Sequence, residues 1–194
     1  MSCFRLILIG LFSIVSFSIN AKHLEFMGTP ITGTITSFQT KLQSKGCSIA
    51  KGNNQLPSGI RGFKGVFAGK DCDIYVWYNH RTKQVYKVRA ISDCGSALDV
   101  AHNTFYYYKN LLNQKYEGIS LNSDMLEDST NNEYEFDMVV IQPPIEVGAK
   151  ALGTIDVHII DYDGYPTTYG VAITYEDIEG SSQNEQNTLN YKIP

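Results

Sequence analysis

The feature that most constrains this chain is residues 62–93, where apolar and polar side chains alternate with a period of two. Residues 72–79 consist of β-branched and aromatic residues in alternation with polar ones, which is typical of a strand with one buried face. A polar break at 80–83 separates this run from another at 85–91. Before it, a run at 63–67 ends in a turn that contains glycine. The stretch therefore predicts three antiparallel strands joined by short turns.

One side of these strands is predicted to carry aromatic and cationic side chains toward solvent. The members are Asp73, Tyr75, Trp77, Lys87 and Arg89. Aromatic and arginine side chains contribute most of the binding energy at protein interfaces, so this side is a candidate binding surface. The alternative is that another part of the chain covers it.

Residues 1–21 have the pattern of a secretory signal peptide. Arg5 precedes an apolar run at 6–17, and Ala21 supplies a small residue for cleavage, as such peptides require. The run is too short for a membrane span and is followed by polar sequence. We therefore expect a mature chain that begins at Lys22, has no membrane span, and is periplasmic or secreted.

The charge of the chain argues against nucleic acid as a partner. The formal net charge is −4, and removal of the signal peptide takes away one further basic residue. Phosphate binding needs clustered lysine and arginine, whereas the basic residues at 81–89 are interleaved with strand residues.

Three cysteines, Cys47, Cys72 and Cys94, remain after the signal peptide. In an exported protein, one pair can be oxidised to a disulfide. A turn at 80–82 places Cys72 opposite Ala90, about four residues from Cys94, so a bond between these two needs a shifted register. All three pairings stay open, as does the alternative that the cysteines are simply buried small residues. Their spacing contains no C-x-x-C pair, which disfavours a metal site.

The rest of the chain shows helix and strand patterns in a regular order. A helix is expected at 35–45 after an N-cap at Thr34, and a longer one after an N-cap at Ser96. A polar loop is expected at 119–132, further strands at 134–141, 154–160 and 168–177, and a disordered tail at 179–194.

The order of a helix followed by three strands occurs twice, at 33–94 and at 96–178. The segment Phe63-Lys64-x-Val66 of the first half matches Phe136-Asp137-x-Val139 of the second. This predicts a single α+β domain at 22–178, with an antiparallel sheet built from two tandem α-β-β-β repeats and both helices packed on one face. The alternative is chance similarity between two generic hairpins.

The duplicated pattern, with exposed aromatic residues on its sheet, resembles the β-lactamase-inhibitor-protein-like fold. Residues 26–34 and 63–69 are also similar to small secreted proteins of Gram-negative gut anaerobes, for which no activity is known. The first resemblance implies binding of another protein through the open sheet, but fold analogy does not transfer the identity of the partner.

Signals for catalysis or metal binding are weak. The histidines have no metal-binding spacing, and no G-x-S-x-G motif is present. Asp161-x-Asp163-Gly164 resembles the start of a calcium loop but lacks the later acidic ligand, so a hairpin turn explains it better. We therefore expect no enzyme and no cofactor, with a small-ligand or calcium-binding protein as the alternative function.

The sequence thus predicts an exported binding module that engages an unknown protein in the cell envelope or outside the cell. The expected binding face joins both halves of the sheet. It consists of Tyr75, Trp77, Lys87, Arg89, His158, Tyr162 and Thr174.

Overall fold

A computed structural model describes residues 23–116, 122–127, 133–141, 151–162 and 166–189. Side chains are described for 23–116, 151–162 and 166–185. The predicted signal peptide, Asp163 and residues 190–194 lie outside the described residues.

The described elements follow one another in the order that the sequence predicts, with additions. In the first half they are β1 (Glu25–Phe26), β2 (Thr29–Pro30), α1 (Ile35–Ser44), β3 (Ser48–Ile49), β4 (Ile60–Phe67), β5 (Lys70–Tyr78) and β6 (Val85–Gly95). In the second half they are α2 (Leu98–Lys115), β7 (Asn122–Glu127), β8 (Glu133–Ile141), β9 (Gly153–Tyr162), β10 (Thr168–Asp177) and α3 (Ile178–Leu189). Within this described part, eight strands form one antiparallel sheet in the order β3-β4-β5-β6-β10-β9-β8-β7, beside a small β1-β2 hairpin.

The predicted alternation along β5 is confirmed. Cys72, Ile74 and Val76 are buried, whereas Tyr75 and Trp77 are only partly buried. The buried side chains lie on one side of the sheet, which we call the inner face, together with the core residues of β6, β9 and β10.

The register between β5 and β6 differs from the prediction by two residues. Ile74, not Cys72, pairs with Ala90. One residue of the difference comes from a bulge in which β6 gains an extra residue near Tyr86, as bulges do. The other comes from the longer loop, which the side chain of Asn79 stabilises by accepting from the amides of residues 81 and 82.

The helices α1 and α2 bury their apolar sides against the inner face. Ile35, Phe38 and Leu42 of α1 belong to the core, as do Phe105 and Tyr108 of α2. The fold is therefore α+β, an antiparallel sheet with helices packed on it. The N-cap at Thr34 is confirmed, because its hydroxyl oxygen accepts from the Ser37 amide at 3.3 Å. The N-cap predicted at Ser96 is wrong by one residue: Ala97 occupies that position and caps with no side chain.

The two halves meet at β6 and β10, which pair over residues 87–95 and 169–176. In each half a helix precedes the strands of the eight-stranded sheet, and the last of those strands forms this seam. The tandem duplication of the sequence stays a prediction.

Two predicted non-regular segments are regular in the structure. Residues 122–127 form β7 where a loop was expected, and they pair with β8. The expected disordered tail instead forms α3 over Ile178–Leu189. Asp177 starts this helix, because its buried carboxylate accepts from the Gly180 amide at 3.0 Å, the position that an N-cap serves.

Candidate protein-binding face of the sheet

The side of the sheet opposite α1 and α2 brings together the side chains that the sequence singled out. We call it the outer face. Its defining residues are Tyr75, Trp77, Lys87, Arg89, His158, Tyr162 and Thr174.

Strand register places most of these residues in rows that cross the sheet. Tyr75 pairs with Arg89, Arg89 pairs with Thr174, and Thr174 pairs with Asp156. Because directly paired residues of antiparallel strands point to the same face, this row joins β5, β6, β10 and β9. A parallel row runs from Trp77 through Lys87 and Glu176 to Thr154.

Trp77 lies at the centre of a cluster of aromatic and cationic groups. Its ring centroid is 5.7 Å from Cζ of Arg89, 6.0 Å from Nζ of Lys87 and 6.3 Å from the ring centroid of Tyr75. Cation–π contacts of this kind fix a ring and a cation relative to each other. The cluster is therefore ordered before any partner arrives.

Hydrogen bonds hold the two cations in place. Arg89 donates from Nε to Oγ1 of Thr174 at 2.9 Å, and Lys87 lies 2.7 Å from a carboxylate oxygen of Glu176. Both bonds cross the seam between the two halves. Nothing in the sequence pairs these residues, so Glu176 was missed as part of the face.

Tyr162 brings the second half of the sheet toward the first. Its ring lies over Gly170, where an added Cβ would be 3.1 Å from Cε2 and from the hydroxyl oxygen of Tyr162. Burial raises the pKa of the Tyr162 hydroxyl, and nearby Tyr75 and Asp93 raise it further. Tyr162 of β9 and Tyr75 of β5 therefore share one surface although two strands separate them.

His158 extends the outer face along β9 and contacts a carboxylate of the same strand. Its Nδ1 lies 3.0 Å from an oxygen of Asp156, and both residues are partly buried. The structure thus places His158 on the predicted face, away from the Trp77 cluster and in the row of Ala172 and Ile91.

In the middle of the outer face β10 supplies small residues. Ala172 and Thr174 are fully buried although they point away from the core.

The end of the outer face is bordered by α3 and opens into a cleft. Ser181 of α3 donates to Glu176 at 2.8 Å, and Asn79 donates to Asn184 at 2.8 Å. The cleft has a volume of about 330 Å³. Its lining includes Trp77, Tyr78, Asn79, His80, Tyr86 and Asn184.

The three cysteines are free and buried in the structure. Sγ of Cys72 lies 3.3 Å from the hydroxyl oxygen of Ser92 and 3.6 Å from that of Tyr108. Burial raises the pKa of both Cys47 and Cys94. The thiols therefore belong to the core and not to the outer face.

The calcium alternative is only partly covered by the structure. Asp161 lies in β9, opposite Tyr169, while Asp163 is outside the described residues. Among the residues that the structure describes, no group of three or more histidine, cysteine, aspartate or glutamate side chains is arranged to hold a metal ion.

Comparison with protein-family models, with curated proteins and with solved structures found no match to this chain. The resemblance to the β-lactamase-inhibitor-protein-like fold therefore stays a prediction. None of the helices in the described ranges is both long enough and apolar enough to cross a membrane.

Proposed function

We propose that this protein is an exported, non-enzymatic binding module that engages another protein through the outer face. The observation that carries the proposal is the Trp77 cluster, in which one indole, one phenol and two cations of β5 and β6 are held together, with both cations bonded across the seam to β10. The partner lies in the cell envelope or outside the cell, as the signal-peptide pattern of residues 1–21 implies.

The chemistry of the cluster favours a protein partner. Tryptophan, tyrosine and arginine are the residues most enriched at the energetic centres of interfaces. The Nε of Arg89 is occupied by Thr174, which orients the terminal nitrogens of the guanidinium for a carboxylate or carbonyl group of a partner.

The rigidity of the Trp77 cluster also supports the binding of a protein partner. Ordering a long side chain on binding costs roughly 0.5–1.5 kcal/mol. The cluster has met much of that cost on folding, because Arg89 and Lys87 are already fixed by Thr174 and Glu176. A preorganised surface of this kind binds more tightly than the same residues on a mobile loop.

The test is capture of partners from a cell-envelope extract by the immobilised chain. Quantitative mass spectrometry compares the wild type with Trp77→Ala and with Tyr162→Ala. A genuine partner is expected to fall at least tenfold with Trp77→Ala, since centres of interfaces lose about 2 kcal/mol or more on truncation.

Tyr107→Ala is the matched control. Tyr107 lies on α2 and is 40% exposed, against 41% for Tyr162 on the outer face. Retention of a partner by Tyr107→Ala, with loss by both outer-face variants, supports the proposal. Equal capture by the wild type and all three variants would show that the outer face does not bind the partner.

A second candidate function is small-ligand binding in the cleft beside Trp77. Its volume of about 330 Å³ is at the lower end of the range for ligand sites. Trp77 is the chain's single tryptophan, so its fluorescence reports directly on this cleft. Saturable quenching by a small molecule that also competes with the protein partner would place both functions on one surface.

A further inference from the structure

The walls of the cleft beside α3 are fixed by hydrogen bonds within the protein. The Tyr78 amide donates to the Gly59 carbonyl at 2.8 Å, which holds the segment before β4 against the end of β5. A second bond, from the Asn79 side chain to Asn184 at 2.8 Å, holds α3 beside the same strand end. The space of about 330 Å³ between these walls is therefore preformed, as ligand sites usually are.

The lining of the cleft is aromatic and polar rather than charged. Among the described residues, it contains no lysine, arginine, aspartate or glutamate. Lys87 lies beside the ring of Trp77, but its charge is already paired with Glu176. Lys83 donates to the backbone carbonyl of His80. Recognition of a phosphate or carboxylate uses arginine or lysine, so this lining favours a neutral ligand.

Several polar groups of the lining remain for a ligand to bond. Within the part of the chain that the structure describes, four lining residues have side-chain polar groups without a hydrogen-bond partner: Ser58, Trp77, His80 and Tyr86. Tyr86 is partly buried, and this burial raises the pKa of its hydroxyl, so the group stays a neutral donor. Partly buried polar groups are more stable when a ligand or water bonds them.

We infer that the cleft binds a neutral saccharide through the rings of Trp77 and Tyr86 and the polar groups beside them. This inference rests on the second candidate function above, small-ligand binding in the cleft, and names the class of ligand. A sugar has hydroxyl groups that both donate and accept hydrogen bonds. The C–H groups on one side of its ring pack against the negative face of an aromatic ring.

Other ligand classes match the lining less well. An apolar ligand would cover the indole N–H of Trp77 and the hydroxyl of Tyr86 without bonding them, which costs free energy. A nucleotide would place its phosphate against described residues that include no lysine or arginine.

The cleft is also open enough for part of a longer glycan. Ser58 and His80 are both exposed, so they form a rim that solvent reaches. One sugar unit can therefore occupy the cleft while the rest of the glycan extends away from the protein.

The test begins with a glycan array that carries neutral, sialylated and phosphorylated glycans, to which the purified chain is applied. The neutral glycan that binds best is then titrated in solution, with Trp77 fluorescence and isothermal titration calorimetry as independent readouts. We expect a saturable change in fluorescence with the neutral glycan and none with sodium phosphate.

Two variants assign the binding to the cleft. Tyr86→Phe removes only a hydroxyl, and His80→Ala removes an exposed ring, so both are expected to fold. Each is expected to weaken glycan binding by about three- to tenfold, the effect of losing one hydrogen bond. Tyr162→Phe is the matched control for Tyr86→Phe, because Tyr162 lies on the outer face but does not line the cleft. Its affinity for the glycan is expected to equal that of the wild type.

The outcomes distinguish this inference from both proposed functions. Tyr162→Ala is expected to lose the protein partner and keep the glycan, so failure of protein capture leaves glycan binding unaffected. Binding of phosphate or of charged glycans alone would overturn the saccharide and leave a small-ligand site in the cleft. Binding of no glycan on the array, or equal affinity of the wild type, Tyr86→Phe and His80→Ala, would also overturn the inference.

Discussion

At the scale of single residues, buried hydroxyl groups shape the response of the core to pH. Tyr108 shares a hydrogen bond of 2.5 Å with Ser92 and lies near Cys72, while Tyr175 packs against the rings of Phe26 and Phe67. Burial raises the pKa of both tyrosines above the ordinary value of 10.0. Each phenol must therefore stay neutral while the chain is folded.

This burial predicts loss of stability in alkali. Below about pH 10 both tyrosines are neutral in the folded and unfolded states, so their contribution is fully present. Above it the unfolded chain releases protons that the folded chain retains, so the free energy of unfolding falls by up to about 1.4 kcal/mol per pH unit for each tyrosine. Tyr175→Phe removes one of these protons and is expected to make the decline shallower.

The measurement is urea unfolding of the wild type and Tyr175→Phe at several values between pH 8 and pH 11. Cys47 and Cys94, whose pKa values burial also raises, contribute to the slope of both proteins, so the difference between the two curves is the informative quantity. Parallel curves would show that Tyr175 is not buried as described.

At the scale of elements, one buried carboxylate joins three parts of the chain. Asp177 is fully buried at the end of β10. It accepts from the Leu24 amide at 2.9 Å and from the Gly180 amide at 3.0 Å, and it lies 3.2 Å from Nδ1 of His23. It therefore connects the segment before β1 and the start of α3 to the sheet.

Asp177→Ala is predicted to destabilise the chain by about 3 kcal/mol, because it removes a helix cap and leaves the buried Leu24 amide and the partly buried Gly180 amide without this acceptor. Protease cleavage within α3 is expected to become faster at the same time. Asp71→Ala, at an exposed aspartate of β5, is the control and is expected to change stability by less than about 0.5 kcal/mol. Similar stabilities for the two variants would contradict the anchoring role of Asp177.

Local alternation predicted the elements well, and distant pairing explains what it missed. The outward position of Tyr75 and Trp77 follows from period two within one strand. The contact of Arg89 with Thr174 does not, because 85 residues separate them and no local signal pairs β6 with β10. The register of Cys72 was missed for a different reason, since a longer loop and a one-residue bulge together shift every later pair by two residues.

The helix α3 was missed because its composition is polar and contains Gly180 and two serines. Gly180 is needed there, since an added Cβ would lie 2.8 Å from Cβ of Tyr86. A usable signal was nonetheless present: Asp177, placed three residues before Gly180, has the chemistry and spacing of an N-cap. The prediction of disorder used composition alone and did not take the helix cap at Asp177 into account.

At the scale of the whole molecule, the two faces of the sheet have different roles. The inner face buries the core and the cysteines beneath α1 and α2, and the outer face presents the Trp77 cluster beside the seam of the two halves. Because Arg89 and Lys87 are fixed by residues of β10, the proposed binding surface exists only when both halves are joined.

The measurement that tests this division most directly is photo-crosslinking from each side of the sheet. A benzophenone amino acid replaces Tyr162 on the outer face or Tyr107 on α2, two positions of nearly equal exposure, and each protein is irradiated with a cell-envelope extract. The account predicts a covalent product with one defined protein from position 162 and none from position 107. The same product from position 107 alone would contradict it.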